Sequence, residues 1–70
     1  MNRISVPDST NVGSIGYDHE SQTLEVEFIK GSVYQYFDVP QNVYDEFIGS
    51  GSKGQYLARN IKGNYRYARV

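Results

Sequence analysis

The sequence predicts an α+β domain: a three-stranded antiparallel meander followed by two helices packed on one face, with an extended C-terminal tail. Three observations carry that prediction. Residues 23–29 alternate apolar and polar, Val43, Tyr44, Phe47 and Ile48 recur at helical spacing, and Gly31, the run Gly49-Ser50-Gly51 and Gly63 fall at the joints between periodic segments. Seventy residues allow one core and no second domain.

Residues 1–12 contain Pro7, Asp8, Ser9, Thr10 and Asn11, turn formers without periodicity, and read as a flexible arm ahead of a single domain over 13–70. Residues 14–18 make a short strand with Ile15 and Tyr17 on one face, and 19–22 form a polar turn. In the second strand Leu24, Val26 and Phe28 point inward, while Thr23, Glu25 and Glu27 point outward. Residues 32–39 supply the third strand.

The register of the second hairpin decides where its tyrosines point. A two-residue Lys30-Gly31 turn would pair Val26 with Gln35 and place Tyr34 and Tyr36 beside the glutamates on the wet face. A three-residue loop with Gly31 left-handed, in a G1 bulge, pairs Val26 with Tyr34, Leu24 with Tyr36 and Gln35 with Glu25. The second register keeps apolar with apolar, so Tyr34 and Tyr36 are expected on the core side.

Pro40 suits the first position of a helix, where its missing N–H is not needed. Helix 1 buries Val43, Tyr44, Phe47 and Ile48 and stops at Gly49-Ser50-Gly51. Ser52 with Gln55 makes a capping box for a second helix, in which Leu57, Ala58 and Ile61 form the inner stripe and Gln55, Arg59 and Lys62 the outer one. Gly63 ends it. Residues 64–70 are an extended aromatic and basic tail, open to pairing as an edge strand or lying across the helices.

The formal net charge of −1 conceals a segregation. All eight acids lie in residues 1–52, whereas from Lys53 onward the only charges are the bases Lys53, Arg59, Lys62, Arg66 and Arg69. A one-signed stretch interleaved with Tyr56, Tyr65 and Tyr67 has the composition of a surface that meets phosphate, and also that of a solvated helix face. No cysteine is present, no apolar leader opens the chain and no apolar run approaches the roughly 18 residues of a membrane span, so the expectation is a cytoplasmic protein with no membrane partner. A core this small leaves self-association open.

The combination Ile15-Gly16-Tyr17, Leu24-Glu25-Val26-Glu27-Phe28, Gly31, Tyr34-Gln35-Tyr36, Val39-Pro40, Ser52-Lys53-Gly54, Ile61 and Tyr65-Arg66-Tyr67 resembles the KTSC domain family. That module is named for its occurrence at the C-terminus of some lysyl-tRNA synthetases and is found also as a stand-alone bacterial or phage protein. The resemblance implies no cofactor and no defined activity; RNA binding is a suggestion attached to the family.

The residues themselves offer one candidate ligand surface: Lys53, Gly54, Tyr56, Arg59, Lys62, Tyr65, Arg66 and Tyr67, with cations for phosphate, rings for bases and Gly54 permitting close approach. Tyr34 and Tyr36 read instead as a structural aromatic motif. His19 is a lone surface histidine without the further ligands a metal needs, and no serine has a histidine or cysteine arrangement to activate it, so neither metal site nor catalysis is expected. The leading expectation is a non-catalytic module for RNA or nucleotide phosphate, which in a phage-encoded copy could sequester a small nucleotide signal. The alternative is a protein-interaction or self-assembly module, motivated by a free edge strand and exposed Ile29.

Overall fold

The computed structural model describes residues 3–7 and 9–70. Its sheet is a five-stranded antiparallel meander in sequence order: β1 (Arg3–Ser5), β2 (Val12–Asp18), β3 (Thr23–Phe28), β4 (Val33–Tyr36) and β5 (Tyr67–Arg69). Helices α1 (Gln41–Gly49) and α2 (Lys53–Tyr56) lie between β4 and β5 in the chain. The fold class is the expected α+β, with five strands in place of three. Both additional strands are only three residues long, too short for alternation to show in sequence. One comes from the segment read as an arm, whose Val6 and Val12 are also buried, and the other from the tail.

The β3–β4 hairpin has the three-residue loop. Gly31 stands at φ +103°, its N–H donates to the Phe28 carbonyl, and the Phe28 N–H donates to Ser32. Pairing then runs Val26 to Tyr34, Glu25 to Gln35 and Leu24 to Tyr36. Tyr36 is buried and Tyr34 half-buried, both on the helix side. On β2 the register slips between Val12 and Ser14, so Gly13 is the extra residue and Val12 and Ile15 both face inward although three positions apart.

The core joins Ile15, Leu24, Val26 and Tyr36 from the sheet to Phe47 of α1 and to Leu57 and Ile61. Pro40 stands one position earlier than expected, as the residue preceding the first helical one. Ser52 caps α2 by accepting from the Gln55 N–H at 3.4 Å, while the Ser50 hydroxyl, rather than the Gln55 side chain, accepts from the Ser52 N–H at 3.1 Å. After one turn the helix widens into a π turn over Leu57–Ile61, closed by the Lys62 N–H on the Leu57 carbonyl at 2.8 Å. The wider turn carries one residue more than an α-helical turn and rotates the residues after it about the helix axis. Ala58, expected inside, is exposed.

The opposite face of the sheet is polar. Arg3 reaches Glu25 at 3.4 Å and Glu27 at 3.7 Å, Gln35 donates to Glu25 at 2.9 Å and Ser14 to Glu27 at 2.9 Å. No helix among the described residues is long and apolar enough to cross a membrane.

This packing ranks the two central tyrosines. Replacing buried Tyr36 with alanine is expected to cost about 3 kcal/mol, a large part of the roughly 4–10 kcal/mol such a chain holds in total. Tyr34→Ala, at a half-buried position, is expected to cost no more than about half as much. Urea unfolding of the two variants checks the order; a larger loss for Tyr34→Ala would contradict it.

Candidate functional site

The helices leave part of the inner sheet face uncovered. Strand pairing sets Tyr67 beside Tyr36 and Arg69 beside Tyr34, so β5 extends the helix-side surface with one ring and one guanidinium. A cavity of about 810 Å³ opens there, lined by Phe28, Tyr34, Tyr36 and Tyr67 together with Lys30, Ser32, Lys62 and the 10–11 loop. Its volume is that of a small-molecule site. The rings form a continuous cluster: Phe28 meets Tyr34 edge-on at 5.7 Å, and Tyr67 stands 5.9 Å from both Tyr34 and Tyr36. Burial, followed by the neighbouring tyrosines, pushes the Tyr36 hydroxyl above its usual range and keeps it a neutral donor. Tyr67 is 62% exposed and presents its ring to solvent.

Cations border these rings. The Lys62 ammonium sits 5.5 Å above the Phe28 ring, Lys30 lies on the hairpin loop, and Arg69 donates to the Ser32 hydroxyl at 3.2 Å. None of the three has a carboxylate partner within 4 Å among the described residues, and no described residue lining the cavity is acidic. Helical periodicity put Lys62 on the outer stripe; the π turn instead delivers it over the sheet.

Of the residues the sequence singled out, Lys62 and Tyr67 enter this cavity. Lys53 and Gly54 line a second one of about 710 Å³ between β1 and the helices. There the Lys53 ammonium donates to the Ser50 carbonyl at 2.6 Å, and a side chain at Gly54 would come within 2.7 Å of Asn11, so the close approach that Gly54 permits is taken by the chain itself. Tyr56 stacks on Phe47 with centroids 5.6 Å apart and donates to Glu46 at 2.8 Å. Tyr65 packs against the core, Arg66 pairs with Asp38 at 3.1 Å over the Phe37 ring, and exposed Arg59 borders neither cavity. The expected single basic surface is thus divided between several places.

Lys30, Phe28 and Arg69 were missed. Phe28 and Lys30 line the cavity and Arg69 stands at its margin through Ser32, an arrangement set by the pairing of β3 with β4 and of β4 with β5. Among the described residues no cluster of three or more histidine, cysteine, aspartate or glutamate side chains could hold a metal ion.

The model of the KTSC domain matches residues 8–65. The chain belongs to the KTSC domain family. It is 41% identical over 64 residues to a lysine-tRNA ligase of Trichormus variabilis, covering 91% of this chain but only 11% of the ligase. An uncharacterised protein of Stutzerimonas stutzeri is 38% identical over 71 residues, matching 100% of this chain and 99% of that protein. Among solved structures, a KTSC domain protein of Yersinia pestis superposes with a TM-score of 0.91 at 34% identity, over 99% of this chain and 96% of that one. In this KTSC domain the central Tyr34-Gln35-Tyr36 serves two ends: Tyr36 fills the core while Tyr34 also walls the cavity.

Tyr56 supplies a titration signature. Burial, then its hydrogen bond to Glu46 and the Glu46 charge, pushes its hydroxyl from 10.0 up to about 12. Because the folded value lies above the unfolded one, the stabilisation this gives is complete below about pH 10 and is lost as pH rises toward 12. Absorbance titration should show one tyrosine ionising last, and Tyr56→Phe should remove that step and flatten the alkaline loss of stability.

Proposed function

We propose that this KTSC domain is a non-catalytic binding module that holds a nucleotide, free or within single-stranded RNA, in the cavity between β3–β4–β5 and Lys62. The observation that carries the reading is the convergence of a partly exposed aromatic cluster with three cations lacking carboxylate partners, at a cavity with no acidic lining among the described residues. Bases stack on such rings irrespective of sequence, and ammonium and guanidinium groups neutralise phosphate. The relatives named lysine-tRNA ligase support it further, since they carry a homologous domain in proteins whose name includes an RNA. Three cations are a small footprint, so binding is weak and salt-dependent.

A second reading has its own observation. Strands β1 and β5 are open edges flanked by exposed Ile4 and Val70, a surface suited to protein contact or self-assembly.

Amide chemical shifts recorded while adding mononucleotides or short RNA at low salt test the first reading. The perturbed residues should cluster around Phe28, Tyr34, Lys62 and Tyr67. Tyr67→Ala should cost about 1–3 kcal/mol of binding, Lys62→Ala should reduce the log-log salt slope by about 1, and Arg59→Ala should change neither. Absence of binding together with a stable oligomer in light scattering would favour the edge-strand reading instead.

A further inference from the structure

The cavity has a direction along the sheet, and that direction narrows the class of ligand. Going from the core toward the hairpin tip on the helix-side face, the rows are Tyr36 with Tyr67, then Tyr34 with Arg69, then Phe28 opposite Ser32, and finally Lys30 in the loop. Rings fill the first two rows. Cations hold the tip end: Arg69 leans toward it to reach Ser32, Lys62 lies over Phe28, and Lys30 stands at the turn. Ser32 and Tyr36 are four residues apart along extended chain, roughly 13 Å.

From this placement, and resting on the nucleotide reading above, we infer that the cavity takes a nucleotide by its phosphorylated end, with the base on Tyr67 and Tyr34 and a chain of two or more phosphates across Arg69, Ser32, Lys62 and Lys30. A diphosphate or triphosphate brings more negative charge and more acceptor oxygens to these three cations than a single phosphate does. The Ser32 hydroxyl accepts from Arg69 and keeps its own proton to donate to a phosphate oxygen. Toward the aromatic end of this face no cation lines the cavity among the described residues, so a strand continuing its phosphates in that direction finds none there. The arrangement therefore suits the terminal phosphates of a free nucleoside diphosphate or triphosphate, or of a 5′-phosphorylated RNA end, over the interior of a strand.

Calorimetric titration with adenosine, AMP and ADP, and with the guanine, cytosine and uracil counterparts, tests the inference beside a short RNA carrying either a 5′-triphosphate or a 5′-hydroxyl. At least one diphosphate, or the triphosphorylated RNA, should bind about tenfold or more tightly than its monophosphate or hydroxyl counterpart. Lys30→Ala and Arg69→Gln, both at exposed positions, should lower diphosphate affinity more than monophosphate affinity and so bring that ratio toward one. A preference confined to free nucleotides or to the RNA assigns the source. Equal affinity for mono- and diphosphates, or a ratio untouched by both substitutions, overturns the inference while leaving nucleotide binding intact; failure of every nucleotide and RNA to bind removes both.

Discussion

Gly31 holds φ at +103°, and the three-residue loop this permits sets the pairing of β3 with β4 on which the rest of the structure depends. Shifting that pairing by one residue would exchange the faces of β4, because side chains alternate with a period of two. Tyr36 would leave the core, Gln35 would enter it without its partner Glu25, and the ring cluster on the helix side would be lost. A side chain other than glycine is strained at this φ, so the loop residue, remote from the core, governs what the core contains.

The cavity follows from a shortage of cover. One nine-residue helix and a short second helix bury Ile15, Leu24 and Val26 but do not reach across to β5. Aromatic residues tolerate that position because a ring can pack by one face and present its other face and its hydroxyl to water. Tyr34 and Tyr67 do this, whereas Ile4, Ile29 and Val70 are exposed aliphatic groups at the margins of the sheet.

Electrostatics divide between the two faces of the sheet. Glu25 and Glu27 lie on the face away from the helices, where Arg3 and Gln35 engage them, and Arg69, Lys62 and Lys30 gather at the other. Near neutrality of the whole chain therefore conceals a cationic margin on the cavity. The π turn contributes to this margin by closing on Leu57 with the Lys62 N–H, so that a residue whose periodicity assigned it to solvent comes to rest on an aromatic ring.

The sequence by itself determined whatever rests on local periodicity and turn chemistry: the inward faces of β2 and β3, the Gly31 loop and its register, the α1 stripe with its stop, the Ser52 cap and the end of the second helix at Gly63. It also carried the family resemblance. Only the tertiary structure decided the edges and the site. Strands β1 and β5 each take their hydrogen bonds from a single neighbouring strand, and three residues leave no alternation to read. Arg69 reaches Ser32 across 37 positions of chain, and the cavity brings Lys62 to Phe28 through a turn whose extra residue no helical wheel anticipates. A convergent site built from contacts this remote in sequence exists only once the sheet has closed its last pair.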